Sequence, residues 1–215
     1  MTTLDFKPFY TRNLPHIQPP GATLFVTYRL ADSLPQHLIQ QLLDEREAME
    51  KQLATIANPA QRRQQRGQEH KRLFAKWDHF LDNAQSGPMW LKETAVAQII
   101  ANSLHHLDGK QYDLDCYCLM SNHAHVVFTP LEEENGRYVA LPRIMHSLKG
   151  YTATEANRVL GRSGCFWQEE SYDHIVRDEA ELNRIRRYVL YNPVKAGLVD
   201  DPEKWPWNYA KYLSE

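Results

Sequence analysis

The hydrophobic pattern changes period several times along the chain. Thr23-Leu24-Phe25-Val26-Thr27-Tyr28-Arg29-Leu30 is β-branched and aromatic, which predicts a first strand. From Leu34 to Asn83 the character shifts to Gln, Glu, Arg, Lys, Leu and Ala. Leu38, Leu42, Met49 and Leu53 recur at helical spacing there, and so do Leu73, Trp77 and Leu81. Pro59 divides this segment into two helices, expected as a hairpin laid over or projecting from the domain, because its polar faces are extensive. Ser86-Gly87-Pro88 breaks the pattern, and Leu91 to Leu107 resumes it as an amphipathic helix ending at Gly109. Two strand-like segments follow, Tyr112–Met120 and Ala124–Thr129. Next come a helix at Leu141–Leu160, an irregular stretch from Gly161 to Arg177, and a helix from Asp178 to Tyr191 stopped by Asn192-Pro193.

This order predicts an α+β fold, a ferredoxin-like antiparallel sheet with helices packed on one face, plus an inserted helical hairpin. The expected organisation is an N-terminal arm at 1–20, one domain at 21–200 with the helical insertion at 34–83, and a loop-like, aromatic tail at 201–215.

Bulk properties narrow the picture modestly. The 215 residues suit one sizeable core, and no apolar run approaches the ~20 residues that span a bilayer. The first residues show no secretory pattern, and Cys116, Cys118 and Cys165 read as reduced thiols of a cytoplasmic protein. A net charge of −2 argues against nonspecific coating of nucleic acid but leaves room for a local basic site. Arg137, Arg143, Lys149, Arg158 and Arg162 cluster between 137 and 162, a pattern that is more often a solvated helix face than a binding surface.

Two local signals carry chemistry. His123-Ala124-His125 lies in a strand, where residues two apart share a face, so both imidazoles can reach one metal ion. On the last helix Tyr188 and Asn192 are i, i+4 neighbours beside the stripe of Leu182, Ile185 and Val189, with Arg184 and Lys195 near the same side. Each has a plain alternative. The pair could be structural histidines, Tyr188 an interfacial aromatic, and Asn192-Pro193 a helix stop.

Their combination and order say more. Met120-Ser121-Asn122-His123-Ala124-His125-Val126-Val127-Phe128 is followed by Leu148-Lys149-Gly150-Tyr151-Thr152, Phe166-Trp167-Gln168, Tyr172-Asp173-His174-Ile175-Val176-Arg177 and Tyr188. Tyr191-Asn192-Pro193-Val194-Lys195-Ala196-Gly197-Leu198-Val199 and Trp205-Pro206-Trp207 complete the series. Over residues 21–210 this series resembles the REP-associated tyrosine transposases, members of the single-tyrosine HUH superfamily of DNA strand-transfer enzymes. The segment 34–83 is longer than in compact members.

The resemblance implies that His123 and His125 bind a metal, that Asn192 supplies a third ligand, and that Tyr188 is the nucleophile. It implies cleavage of single-stranded or hairpin DNA through a 5′-phosphotyrosine link. A mixed N/O donor set without thiolate suits Mg²⁺ or Mn²⁺. The phenol, ordinarily near pKa ~10, would need help from Arg184, Lys195 or the metal.

Arg143, Lys149, Arg158, Arg184 and Lys195 are candidate phosphate contacts, and Trp167 a candidate platform for an unpaired base. Tyr151 is a competing nucleophile, and His174 beside Asp173 a candidate supporting pair. Two further readings stay open: a hairpin-binding regulator that no longer cuts, and a small-nucleotide metallohydrolase that activates water.

Overall fold

The computed structural model describes residues 21–84 and 87–211, so the predicted arm at 1–20 and the end of the tail lie outside the described residues. Its strands are β1 (Leu24–Leu30), β2 (Tyr112–Leu119), β3 (His123–Pro130), β4 (Trp167–Ile175) and β5 (Asn208–Ala210). Its helices are α1 (Gln36–Ala54), α2 (Pro59–Asp82), α3 (Thr94–Leu107), α4 (Leu141–Val159) and α5 (Glu179–Lys195).

The sheet order is β4-β1-β3-β2-β5, with every neighbouring pair antiparallel. The path β1-α3-β2-β3-α4-β4 builds the ferredoxin-like core, and α1–α2 is a helical hairpin inserted between β1 and α3.

Helices cover both faces of the sheet, not one. On the first face Leu24, Val26, Tyr28, Val126 and Phe128 pack with Ile100 and Leu104 of α3 and Ile144 and Leu148 of α4. On the second, Phe25, Cys116, Cys118, Val127 and Tyr172 pack with Trp77 and Leu81 of α2 and Val189 of α5. All seven residues of β1 are consequently buried, which is why that strand reads as nearly continuous apolar sequence instead of alternating. The second half of α2 thus lies over the sheet, the first of the two expected placements, held there by its Trp77/Leu81 stripe.

Local chemistry explains the helix limits. Asn58 caps α2 by accepting from the amides of Ala60 and Gln61, and Pro59 occupies the first turn, where no amide is needed. Asp178 caps α5 by accepting from the Glu181 amide.

The predicted stop at Asn192-Pro193 falls one turn early. The helix continues to Lys195 and ends in a Schellman motif, with Gly197 at φ +69°, its amide on Val194 O (3.0 Å) and the Leu198 amide on Pro193 O (2.9 Å). That extra turn keeps Tyr188, Asn192 and Lys195 on one rigid element.

Two segments expected to be irregular or loop-like contain strands. β4 was obscured because its Glu169 and Glu170 face solvent, and β5 pairs only three residues, Asn208–Ala210, with β2.

Candidate active site and metal centre

On β3, His123 and His125 both project from the second face, where α2 and α5 cover them, and both are fully buried. Their Nε2 atoms are 3.0 Å apart. A chain of hydrogen bonds sets the tautomer of His123. Asn122 Nδ2 donates to Leu81 O at 3.1 Å, which turns Oδ1 toward His123 Nδ1 at 2.7 Å. An amide oxygen only accepts, so Nδ1 carries the proton and the Nε2 lone pair faces His125. His125 Nδ1 lies 2.8 Å from Thr27 Oγ1 on the neighbouring strand. Burial, then the neighbouring His125, pushes the His123 imidazole down to about 3, so it is neutral near pH 7.

Helix α5 adds Tyr188, Asn192 and Lys195, and α2 adds Asp78 and Asp82, two carboxylates not foreseen from the sequence. Asn192 Nδ2 sits 3.0 Å from His125 Nε2, and Asp78 Oδ1 lies 3.3 Å from the same nitrogen. The Tyr188 hydroxyl donates to Asp78 Oδ2. Lys195 Nζ bridges Asp78 Oδ2 at 3.2 Å and Asp82 Oδ2 at 3.0 Å.

Burial alone would raise the Asp78 carboxyl, but the facing imidazoles of His125 and His123 and the Tyr188 hydroxyl hold it well below the usual carboxylate range. Burial and the charge of Asp78 raise Asp82. Burial and the same Asp78 charge push the Tyr188 phenol well up. The expectation that cations favour the phenolate is therefore reversed in this state: Lys195 is near, but the Tyr188 hydroxyl rests on a carboxylate.

The buried cluster of Asp78, His123 and His125 could hold a metal ion, with one ligand atom from each lying within 4.8 Å of the others. The donor atoms fit a hard divalent cation. Asp78 Oδ1, Asp82 Oδ1 and Asn192 Oδ1 are buried and accept no hydrogen bond among the described residues.

The other predicted residues are dispersed. Arg184 is exposed on α5 and makes no hydrogen bond or ion pair with the site. Arg143 pairs with Glu133 at 2.5 Å and Arg158 with Glu155 at 2.5 Å; both lie on α4, which covers the opposite face of the sheet. Lys149 is tied to the carbonyls of Gln168 (2.9 Å), Glu169 (3.0 Å) and Glu170 (3.4 Å), so its ammonium is occupied in bracing the edge strand. Trp167 is buried against Tyr28 at a centroid distance of 4.8 Å and donates to Thr152 Oγ1 at 2.8 Å, leaving no free ring face for a base. Tyr151 is exposed on α4, across the sheet from the histidines. His174 reaches Glu181 at 3.2 Å.

Asp78 and Asp82 did leave a trace in the sequence. They stand four residues apart on α2, each directly after a member of the Trp77/Leu81 stripe.

A ferredoxin-like sheet that carries a His-x-His pair on an inner strand beside a tyrosine-bearing helix is the architecture implied by the motif series. Comparison with known proteins agrees. The chain is 25% identical over 96 residues to a Haemophilus influenzae protein described as a REP-associated tyrosine transposase, a match spanning 42% of this chain and only 54% of that relative. Its fold is similar to a solved REP-associated tyrosine transposase bound to a REP hairpin, with a TM-score of 0.53 and 14% identity, covering 92% of this chain and 82% of that one. No family model matches. The resemblance to REP-associated tyrosine transposases thus holds in sequence and in fold. Among the described residues no helix is long and apolar enough to cross a membrane.

Proposed function

We propose that this protein is a metal-dependent DNA endonuclease and strand transferase that acts on single-stranded or hairpin DNA through a tyrosine–phosphate link. One observation carries the reading: Tyr188 Oη, both imidazoles and the Asn192 amide converge on the same buried carboxylate region, with acceptor oxygens left unsatisfied.

In this reading His123 Nε2, His125 Nε2 and Asn192 Oδ1 hold Mg²⁺ or Mn²⁺, and Asn122 and Thr27 orient the two rings through their Nδ1 atoms. A bound divalent cation would draw charge from the scissile phosphate and orient it. Tyr188 Oη forms the new bond to phosphorus and passes its proton to Asp78 Oδ2, on which it already rests. The P–O3′ bond breaks, and the departing oxygen takes up a proton to leave as a 3′-hydroxyl. A different 3′-hydroxyl can then attack the 5′-phosphotyrosine and regenerate the phenol, which makes the outcome transfer instead of hydrolysis. Lys195 balances Asp78 and Asp82 from the outer side. Of the predicted cations, Lys195 is the one poised to meet a phosphate here.

His123, His125 and Asn192 are inaccessible in this conformation, so a DNA strand reaches Tyr188 only after α2 draws back from the sheet. That closure favours, as the second reading, a hairpin-binding regulator that no longer cuts. A DNA substrate and unpaired Cys116, Cys118 and Cys165 suit a cytoplasmic protein.

The test is incubation with a labelled hairpin oligonucleotide in Mn²⁺ or in EDTA, followed by denaturing electrophoresis. A covalent protein–DNA band in Mn²⁺ alone supports the enzyme. Tight binding without any adduct or cut strand under every divalent metal favours the regulator.

A further inference from the structure

We propose that the inserted hairpin supplies the anionic half of the metal site: Asp78 binds the ion from α2, opposite the imidazoles on β3, and Asp82 adds negative charge beside it, so that the ion ties the hairpin to the sheet. This rests on the metal-dependent reading above but departs from the uncharged set of two imidazoles and one amide that the motif series implies.

Each carboxylate is split in its partners. The outer oxygens, Asp78 Oδ2 and Asp82 Oδ2, share the Lys195 ammonium, and Asp78 Oδ2 also takes the Tyr188 hydroxyl. The inner oxygens point the other way. Asp78 Oδ1 lies 3.3 Å from His125 Nε2 and 3.9 Å from His123 Nε2, and Asp82 Oδ1 lies 3.8 Å from His123 Nε2. Both inner oxygens are buried without a hydrogen bond among the described residues, a costly state for a carboxylate oxygen.

The Asn192 side chain, itself fully buried, turns Nδ2 to His125 Nε2 at 3.0 Å and leaves its Oδ1 without a hydrogen bond, an observation independent of the two acids. His123 cannot relieve the inner oxygens, because the Asn122 contact commits its one proton to Nδ1. The inward-facing Asp78 oxygen and the two ring nitrogens lie within 4.8 Å of one another, and a small divalent cation would satisfy the three together.

Two elements supply these donors, β3 the imidazoles and α2 the Asp78 carboxylate, and α5 closes the site with the Asn192 amide. Two negative charges on the hairpin give the ion most of its electrostatic attraction. Bound metal then opposes the withdrawal of α2, and loss of metal loosens it.

The decisive experiment is Mn²⁺ binding by the full chain, read by titration calorimetry and by pulsed electron-nuclear double resonance. Asp78→Asn is expected to weaken Mn²⁺ at least about tenfold, with a smaller loss for Asp82→Asn. Because Asp78→Asn alters a buried cluster and can impair folding, the unmutated protein grown with carboxyl-¹³C aspartate provides the second measurement. A strong ¹³C coupling to bound Mn²⁺ is expected. Limited proteolysis should cut the α1–α2 hairpin more slowly with Mn²⁺ than with EDTA.

Mn²⁺ that binds with no ¹³C coupling, or equally well to a folded Asp78→Asn protein, overturns this inference while leaving the histidine site intact. No Mn²⁺ binding by the unmutated protein overturns the metal-dependent reading itself.

Discussion

Acidifying the metal-free protein should weaken it through His123, by an amount that the structure allows to be worked out. The imidazole is held at about 3 in the fold, with burial as the chief cause, and returns to about 6.5 when unfolded. The unfolded chain therefore binds the proton first. Stability from this group is fully present above pH ~6.5 and is lost as pH falls toward about 3.

Between pH 8 and pH 5 the loss is about 2 kcal/mol by linkage, or about 4–8 °C in Tm for a chain of this size. His70 and His174 are also lowered, burial again first, and add slope of the same sign. The control that isolates His123 is His123→Asn, whose amide can still donate to Asn122 Oδ1. Urea unfolding in EDTA, followed by tryptophan fluorescence at half-unit pH steps, should show the gap in stability between the two proteins shrinking by about 2 kcal/mol from pH 8 to pH 5. With Mn²⁺ present the unmutated protein should fall more steeply, since the ion needs the unprotonated ring. A gap that stays constant across this range would mean that His123 titrates normally, and the argument from its buried, neutral Nε2 would fail.

Asn122→Ala frees Nδ1 of His123 and removes the donor to Leu81 O, so Mn²⁺ affinity by calorimetry should drop about 10–100-fold, with about 1–3 kcal/mol of stability lost. Mn²⁺ affinity unchanged from the unmutated protein would refute the orienting role. Trp167→Ala should cost about 3–5 kcal/mol in urea unfolding, whereas Trp167→Phe should leave oligonucleotide affinity by fluorescence anisotropy unchanged. A large loss of DNA affinity in Trp167→Phe would restore the stacking role that its burial argues against.

How much of this was readable beforehand differs by element. The strands β1, β2 and β3 were legible to within a residue or two at their ends, because their apolar runs carry the burial directly. β4 was not, since Glu169 and Glu170 in its middle are exposed and break the alternation. The end of α5 was misplaced because proline usually closes a helix, yet Pro193 sits inside the last turn, where a Schellman motif at Gly197 completes the hydrogen bonding. His123, His125, Tyr188 and Asn192 are singled out by the resemblance of the motif series; the shared strand face and the shared helix face by themselves leave the plain alternatives open. Asp78 and Asp82 are marked only by their spacing after Trp77 and Leu81, and it takes tertiary packing to bring α2 over β3 and give that spacing a role. The same packing explains why Arg143 and Arg158 drop away from the site: α4 is across the sheet.

In the proposed reaction Tyr188 becomes bonded to DNA. The direct measurement is to digest the Mn²⁺-dependent adduct with a hairpin oligonucleotide and locate the nucleotide by peptide mass spectrometry, with Tyr188→Phe in parallel. A 5′-phosphorylated nucleotide on Tyr188, and no adduct from Tyr188→Phe, is expected. An adduct on Tyr151 or any other residue, or one that survives in Tyr188→Phe, contradicts it.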